Sequence, residues 1–256
     1  MFPLIEQEVK QAPSNSIRFR DIMSHQELRS KKLQFLAAFS AFQSNVSHDP
    51  HDSSVRAYCI WDLPLATNSA LRSLMLIPDE YQQGYIFKTI DDQTRAITIT
   101  ITPPGTIADC HLDQTGSGTL LTQLLGSKLF IIWPPTAKNL AWFSNKFGLN
   151  YGTMLDAALE ELESPFCLFL EQGQYYLLGP GYIHAVLSPM NSAIAGVPVV
   201  HSNLRSEAEM AMAWESELLE RRKDGTPLER ATVENIERGL QEDRLLWNQL
   251  DMLEQM

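Results

Sequence analysis

His111-Leu112-Asp113 is the segment from which both the fold and the chemistry of this chain can be inferred. On an extended backbone the side chains at positions i and i+2 point to the same face, so an imidazole and a carboxylate here can reach one ion. A third ligand can come from His184, which follows the sharp turn Gly179-Pro180-Gly181. Two imidazoles and one carboxylate leave one face of a divalent metal open to other molecules.

The composition is that of a soluble globular protein. The 256 residues are 44% hydrophobic and 20% charged, and they suffice for one large domain or one domain with an appendage. Three scattered cysteines predict reduced thiols and are too few for a zinc finger. We see neither a secretory signal nor an apolar run of about 18 residues. We therefore expect an intracellular protein, nuclear or cytoplasmic, that is not secreted and does not contact a membrane.

The charge distribution argues against direct nucleic-acid binding. The formal net charge is −11, and residues 205–256 alone carry 13 acidic and 7 basic side chains. Such a surface repels a phosphate backbone. The acidic C-terminal segment instead predicts solvated helix faces and a protein partner.

Short strands dominate the hydrophobic pattern, with a few helices around them. A capping box at Ser24-His25-Gln26-Glu27 predicts a helix that continues to Phe42, after an irregular lead-in over residues 1–23 that has room for one short strand. Further helices are predicted at 136–146, 151–162, 206–223 and 228–252. The predicted strands are 55–63, 85–89, 95–102, 118–125, 128–133, 166–170, 174–178, 184–187 and 193–200. Frequent turns and few helices between strands favour an antiparallel sandwich or jelly roll over a parallel sheet.

Lys128 begins an otherwise apolar strand, which is unusual for a lysine. The turn Gly126-Ser127 suits a β-hairpin between strands 118–125 and 128–133. Two interpretations stay open. Lys128 is either a hairpin-edge lysine in water, or an ammonium that meets a dicarboxylate bound at the metal.

Four segments together resemble the JmjC domain, and more closely the branch that contains histone lysine demethylases. Lys128 follows Asp113 by 15 positions and His184 follows His111 by 73, as in that branch. The likeness extends over about 103–204. The segments are His111-Leu112-Asp113, 126–136 (GSKLFIIWPPT), 179–186 (GPGYIHAV) and 201–204 (HSNL).

The resemblance implies a fold and a set of site residues. The fold is mainly β with α: a double-stranded β-helix with an N-terminal helical segment and C-terminal helices. Residues 1–102 would form the N-terminal helix and flanking strands, 103–204 the JmjC catalytic core, and 205–256 the acidic helical appendage. His111, Asp113 and His184 would bind Fe(II). Lys128 would pair with the far carboxylate of 2-oxoglutarate, which is used with O₂.

Two positions depart from the family pattern. Ala108 stands where relatives commonly carry a Thr that touches 2-oxoglutarate, and Leu121 stands where they carry a Tyr or Asn. Thr119, on the same strand face as Leu121, is our candidate to replace a lost hydrogen bond, and Thr106 is a weaker one.

Three functions are consistent with these residues. The first is an Fe(II)- and 2-oxoglutarate-dependent dioxygenase that hydroxylates or N-demethylates a protein substrate, with histone lysine among the candidates. The alternative is a catalytically inactive JmjC-fold binding or scaffold module with a degraded 2-oxoglutarate pocket. A cupin-like metal protein without 2-oxoglutarate explains the ligands but not Lys128. A further hypothesis is a homodimer in which two copies of the chain pair through their C-terminal helices.

Overall fold

The structure is a computed structural model that describes nine stretches of the chain. They are 2–11, 18–21, 26–29, 58–75, 77–91, 93–113, 115–146, 154–223 and 230–255. No helix in these stretches has the length and apolar character needed to cross a lipid bilayer.

Strands make up most of the described core. They are β1 (Arg18–Asp21), β2 (Gln26–Arg29), β3 (Tyr58–Pro64), β4 (Ile86–Phe87), β5 (Thr98–Thr102), β6 (Thr106–His111), β7 (Gly118–Leu125), β8 (Ser127–Trp133), β9 (Phe166–Glu171), β10 (Tyr175–Leu178), β11 (Ile183–Ser188) and β12 (Ser192–Val200). The helices are α1 (Phe2–Gln11), α2 (Ala137–Lys146), α3 (Met154–Glu161), α4 (Arg205–Lys223) and α5 (Arg230–Glu254). Short 3₁₀ turns lie at Ala70–Leu74, Asp79–Tyr81 and Ser202–Leu204.

The strands form two antiparallel sheets. The larger sheet has the order β10-β7-β12-β5-β3-β1-β2, with β4 also paired to β12, and the smaller has the order β6-β11-β8-β9. From β5 to β8, and again from β9 to β12, the chain changes sheet at every strand, whereas β8 and β9 are neighbours in the smaller sheet. This alternation is the strand order of a jelly roll, and it confirms the predicted β-rich, double-stranded β-helix class.

The alternation of β5 divides the larger sheet into an apolar and a polar face. Ile99 and Ile101 are fully buried in a core that also contains Ile5 of α1 and Leu71. The three threonines of β5 that alternate with them point the other way, toward the smaller sheet, because successive side chains of a strand alternate. They line a cavity between the two sheets.

Three helices cover part of the outer face of the smaller sheet. One hydrophobic cluster joins these helices to β11; it contains Trp142 and Phe143 of α2, Met154 of α3 and Ala185 of β11, and Trp214 of α4 packs against it. Phe169 and Ile107, farther along the same sheet, are more than half exposed. The helices therefore support the end of the sheet at which β6 and β11 carry the histidines.

The N-terminal expectations need two corrections. The helix predicted to begin at Ser24 is wrong at Gln26–Arg29, which is strand β2 and pairs with β1. A capping box is a local signal, and here pairing in the sheet overrides it. The predicted lead-in contains helix α1. The remainder of the helix predicted up to Phe42 lies outside the described residues.

The predicted β-hairpin at Gly126 is also wrong. Strand β7 pairs with β10 and β12, whereas β8 pairs with β11 and β9. Gly126 has a φ of 68° and turns the chain from one sheet into the other. Both strands were predicted within one residue, but strand bounds do not determine strand partners.

The C-terminal helices pack on the strands. Helix α5 contacts β4, β12 and α4. Its residues Leu240, Leu246, Trp247 and Leu250 are buried, whereas Leu245, Met252 and Leu253 are more than half exposed. The predicted division at residue 205 and the homodimer both stay predictions.

Gly126 offers a test of the sheet-to-sheet turn. A Cβ at this position would lie 2.0 Å from the carbonyl oxygen of Asn191, so Gly126→Ala adds a backbone clash to the strain of its positive φ. Gly173 has a φ of 85° and nothing within 4 Å of such a Cβ, so Gly173→Ala is the matched control for strain alone. We expect the control to lower the free energy of unfolding by about 1–2 kcal/mol and Gly126→Ala to lower it by about 4 kcal/mol or more. Denaturant unfolding measures both, and equal losses would contradict the turn geometry.

Candidate metal and anion site

Pairing of β6 with β11 brings the two predicted histidine ligands together. His111 is the last residue of β6 and stands directly opposite His184 of β11, with ring centroids 4.1 Å apart. Asp113 lies two residues beyond the end of β6. Its Oδ1 is 3.7 Å from Nε2 of His111, and its Oδ2 is 3.7 Å from Nε2 of His184. The three side chains can offer ligand atoms that all lie within 4.8 Å of one another.

Backbone carbonyls orient both imidazoles toward the shared space. Nδ1 of His111 is 2.7 Å from the carbonyl oxygen of Asp109, and Nδ1 of His184 is 3.1 Å from that of Tyr182. A carbonyl oxygen only accepts, so each Nδ1 donates its proton and each Nε2 keeps a free lone pair. This is the tautomer that a metal-binding histidine needs.

The protonation of His184 also suits metal binding. Burial first, and the neighbouring His111 second, lower its pKa to about 4, against the smaller opposing effects of Asp113 and the Tyr182 carbonyl. The imidazole is therefore neutral at pH 7, as a metal ligand must be. Two neutral imidazoles and one carboxylate are a donor set that fits Fe(II) and leaves coordination positions open.

The cavity between the sheets has a volume of about 580 Å³ and reaches from the His-Asp-His cluster to Lys128. His184, Val186 and Ser188 alternate along β11, and all three line the cavity. Ser188 follows His184 by four positions along the strand, which is roughly 13 Å. The cavity therefore has two polar ends with an apolar stretch between them.

Lys128 forms the second polar end. It is only 3% exposed, and its Nζ donates to Oγ1 of Thr102 and to Oγ of Ser188, each at 2.9 Å. Within the described part of the chain it forms no salt bridge with a carboxylate. Burial lowers its pKa to about 8, opposed by Cys59. The interpretation of Lys128 as a hairpin-edge lysine in water is therefore wrong.

The structure places both departures from the family pattern in the cavity wall. Ala108 and Leu121 line the apolar stretch together with Phe130 and Ile194. Thr119, the candidate replacement, also lines the cavity. Thr106 lines it opposite Ser188, but its hydroxyl already donates to the carbonyl oxygen of Pro103 at 2.8 Å. Thr106 can therefore only accept a further hydrogen bond.

Sequence reasoning missed the hydroxyl partners of Lys128. Thr98, Thr100 and Thr102 occur at every second position of β5, and all three line the cavity. Their alternation was visible in the sequence, but it indicated only a half-buried strand. Ser188 gave no local signal, because its partner Thr102 lies 86 positions away.

A β-bulge at the cavity wall was also missed. Ile60 pairs with Ile101 and Leu63 with Ile99, so Trp61 and Asp62 together stand opposite one residue of β5. Asp62 adopts a φ of 51°, and both bulge residues line the cavity. The indole nitrogen of Trp61 donates to Sγ of Cys59 at 2.8 Å, which fixes the ring. Neither residue belongs to a motif that the sequence pattern could reveal.

Comparison with known proteins finds relatives that are named as demethylases or histone demethylation proteins. The chain is 36% identical over 93 residues to "JmjC domain-containing histone demethylation protein 1" of Kluyveromyces lactis, covering 34% of this chain and 18% of that protein. It is 31% identical over 99 residues to "Lysine-specific demethylase 2B" of Mus musculus, covering 38% of this chain and 7% of that protein. These similarities, each over about a third of the chain, support a divergent member of the JmjC family.

The extent of this JmjC similarity is limited. The protein of the same name from Candida glabrata is 33% identical over 88 residues, covering 34% of this chain and 22% of that protein. The matched region thus spans about a fifth or less of each of these three relatives. No family model matches the chain.

Removing the buried charge of Lys128 should stabilise the protein. A fall in pKa from 10.5 to about 8 corresponds to about 3 kcal/mol of unfavourable burial of the charged form. Thr102 and Ser188 already share a hydrogen bond of 2.7 Å, so Lys128→Met leaves neither hydroxyl unpaired. We expect a higher melting temperature for Lys128→Met and a lower one for the control Thr102→Val, which removes a partner of the ammonium. A lower melting temperature for Lys128→Met would contradict this account of the charge.

Proposed function

We propose that this chain is an Fe(II)- and 2-oxoglutarate-dependent dioxygenase of JmjC type that hydroxylates or N-demethylates a protein side chain. The observation that carries the proposal is the single cavity with a His-Asp-His cluster at one end and a buried lysine at the other. The donor set alone would fit many metalloproteins. The buried ammonium at the other end of the same cavity favours those metalloproteins that bind an anionic cosubstrate next to the metal.

The residues divide into two binding roles. His111, Asp113 and His184 would hold Fe(II) by two imidazoles and one carboxylate. Lys128, supported by Thr102 and Ser188, would bind the far carboxylate of 2-oxoglutarate, and the His-Asp-His cluster would hold the metal for its 2-oxo acid end. Thr119 would donate a hydrogen bond to the cosubstrate from the opposite sheet. When bound, Fe(II), 2-oxoglutarate and O₂ supply the oxidation of an unactivated C–H bond.

The rest of the cavity supports the cosubstrate and excludes water. Leu121, Phe130, Val186 and Ile194 form an apolar wall between the two polar ends. Such a wall strengthens the attraction between an ammonium and a carboxylate, because the local dielectric constant is low. The substrate would approach from the side of the bulge residues Trp61 and Asp62.

The names of the relatives make a histone lysine side chain the first candidate substrate, and a nuclear location the first candidate compartment. The chain's own charge supports a basic protein partner and does not support direct contact with nucleic acid. Dimerisation through the C-terminal helices is compatible with the exposed Leu245, Met252 and Leu253 of α5. A monomer in sedimentation at micromolar concentration would remove it.

A second function is favoured by one observation. Ala108 and Leu121 put apolar groups where relatives commonly place hydrogen-bond donors to 2-oxoglutarate. If the pocket no longer holds the cosubstrate, the chain is a JmjC-fold binding or scaffold module. A micromolar affinity for 2-oxoglutarate would exclude that function.

Turnover tests the proposal directly. We expect Fe(II)-dependent conversion of 2-oxoglutarate to succinate by the wild-type chain, and none above background by His111→Ala, because one metal ligand is lost. His201→Ala is the matched histidine control, since His201 stacks on Tyr85 and lies outside the cluster. Equal succinate formation by all three proteins would show that the cluster does not bind the working metal.

The pKa of Lys128 predicts a pH dependence for cosubstrate affinity. The side-chain amine of Lys128 is mostly protonated at pH 7 and loses its charge as the pH rises through about 8. The half-saturating concentration of 2-oxoglutarate should therefore be constant below pH 7 and rise by up to about tenfold per pH unit above 8. Lys128→Arg keeps its charge to higher pH and should abolish this rise. The same rise in Lys128→Arg would assign the effect to another group.

A further inference from the structure

One of the three proposed metal ligands is not held by a β-ladder. His111 and His184 lie on paired strands, but β6 ends at His111 and β7 begins only at Gly118. Asp113 lies in the connection between these strands, with its side chain 41% exposed. Sheet pairing therefore does not determine where its carboxylate stands.

The turn that follows Asp113 is held by the two C-terminal helices. The backbone N–H of Gly116 donates to Oδ2 of Asp243 at 2.9 Å, and the indole N–H of Trp247 donates to the carbonyl oxygen of Gly116 at 2.7 Å. Both Asp243 and Trp247 belong to α5. The hydroxyl of Thr115 donates to Oε2 of Glu215 on α4. Side chains of α4 and α5 thus bind the backbone N–H and carbonyl of Gly116 and the hydroxyl of Thr115.

This contact is buried and closely packed. Thr115, Ser117 and Asp243 are at most 4% exposed. A Cβ on Gly116 would lie 2.7 Å from Cγ of Met212 on α4 and 2.8 Å from Cβ of Asp243, so only glycine fits between the helices. The turn therefore has one position relative to α4 and α5.

The contact is made through carboxyl groups, which selection for stability alone would not favour. Two carboxyl groups from different helices meet here, Asp243 buried and Glu215 half-buried, and desolvation raises the pKa of both. An apolar contact of the same size would avoid this desolvation cost. Carboxylates do offer acceptors at fixed positions for backbone and hydroxyl donors, which specifies geometry.

We propose that α4 and α5 are a positioning element of the metal centre. Asp243 and Trp247 fix the backbone of turn 115–117, with Glu215 assisting, and thereby hold the carboxylate of Asp113 within reach of His111 and His184. The inference rests on the proposed metal-binding role of the cluster. Asp243, Trp247 and Glu215 are positioning residues: they act on the metal through Asp113.

Metal affinity of the intact chain is the readout that a merely structural role would not move. Trp247→Phe removes the N–H while keeping an aromatic ring, and Asp243→Ala removes the acceptor. The rescue variant is Asp243→Asn, which retains a carbonyl oxygen for the Gly116 N–H. Leu250→Ala is the matched control, because it makes a cavity on the same helix without a hydrogen bond to the turn.

We expect titration with Mn(II) to give a dissociation constant weakened by about 10- to 100-fold in Trp247→Phe and Asp243→Ala, as for other groups that orient metal ligands. The Mn(II) dissociation constants of Asp243→Asn and Leu250→Ala should stay within about threefold of wild type. We expect this of Leu250→Ala even if it lowers the melting temperature as much as Trp247→Phe and Asp243→Ala do. Amide hydrogen exchange at Gly116 should accelerate in Trp247→Phe and Asp243→Ala only.

Two different results would overturn the inference. If wild type binds Mn(II) and Trp247→Phe and Asp243→Ala bind it equally well, the helices do not position the ligand, and the proposed function is untouched. If wild type does not bind Mn(II) and His111→Ala behaves in the same way, the metal centre itself is absent. In that case the proposed function and the positioning role fail together.

Discussion

The antiparallel pairing of β11 with both β6 and β8 is the constraint on which the rest of the site depends. Pairing with β6 sets His184 opposite His111, and pairing with β8 brings Ser188 beside Lys128. Because alternate residues of β11 share one face, the same strand presents an imidazole at one end of the cavity and a hydroxyl at the other. A shift of one residue in this register would turn both groups out of the cavity.

The cavity contains a buried charge that lowers the stability of the fold, and hydroxyl groups that offset part of this loss. The ammonium of Lys128 is buried without a carboxylate partner among the described residues, and only two hydroxyls compensate for its lost hydration. Such an arrangement is expected at a site that binds an anion, where stability is given up for affinity. Apolar side chains, including Ala108 and Leu121, line the cavity between the ammonium and the cluster. A ligand therefore has to be recognised mainly at its two ends.

Local sequence patterns predicted elements and site residues better than they predicted contacts. Period-two alternation gave most of the strands, because this signal is contained in short segments. The local pair His111-Leu112-Asp113 and the turn before His184 gave the cluster, together with the resemblance to the JmjC domain. The hairpin at Gly126 was wrong because the partner of a strand depends on the whole sheet. The hydrogen bonds of Lys128 and of Gly116 join residues 26 to 131 positions apart, and no local pattern encodes them. The N-terminal strand β2 was missed for a different reason: its pairing with β1 overrides the capping-box signal that predicted a helix there.

Calorimetric titration with 2-oxoglutarate and with glutarate, in the presence and absence of Mn(II), tests the central claim that one ligand bridges the metal cluster and Lys128. Glutarate keeps both carboxylates but lacks the 2-oxo group. Micromolar binding of 2-oxoglutarate that requires Mn(II), with much weaker binding of glutarate, is the result that the account predicts. Absence of 2-oxoglutarate binding in the presence of Mn(II), or equal binding of both acids regardless of metal, would contradict it.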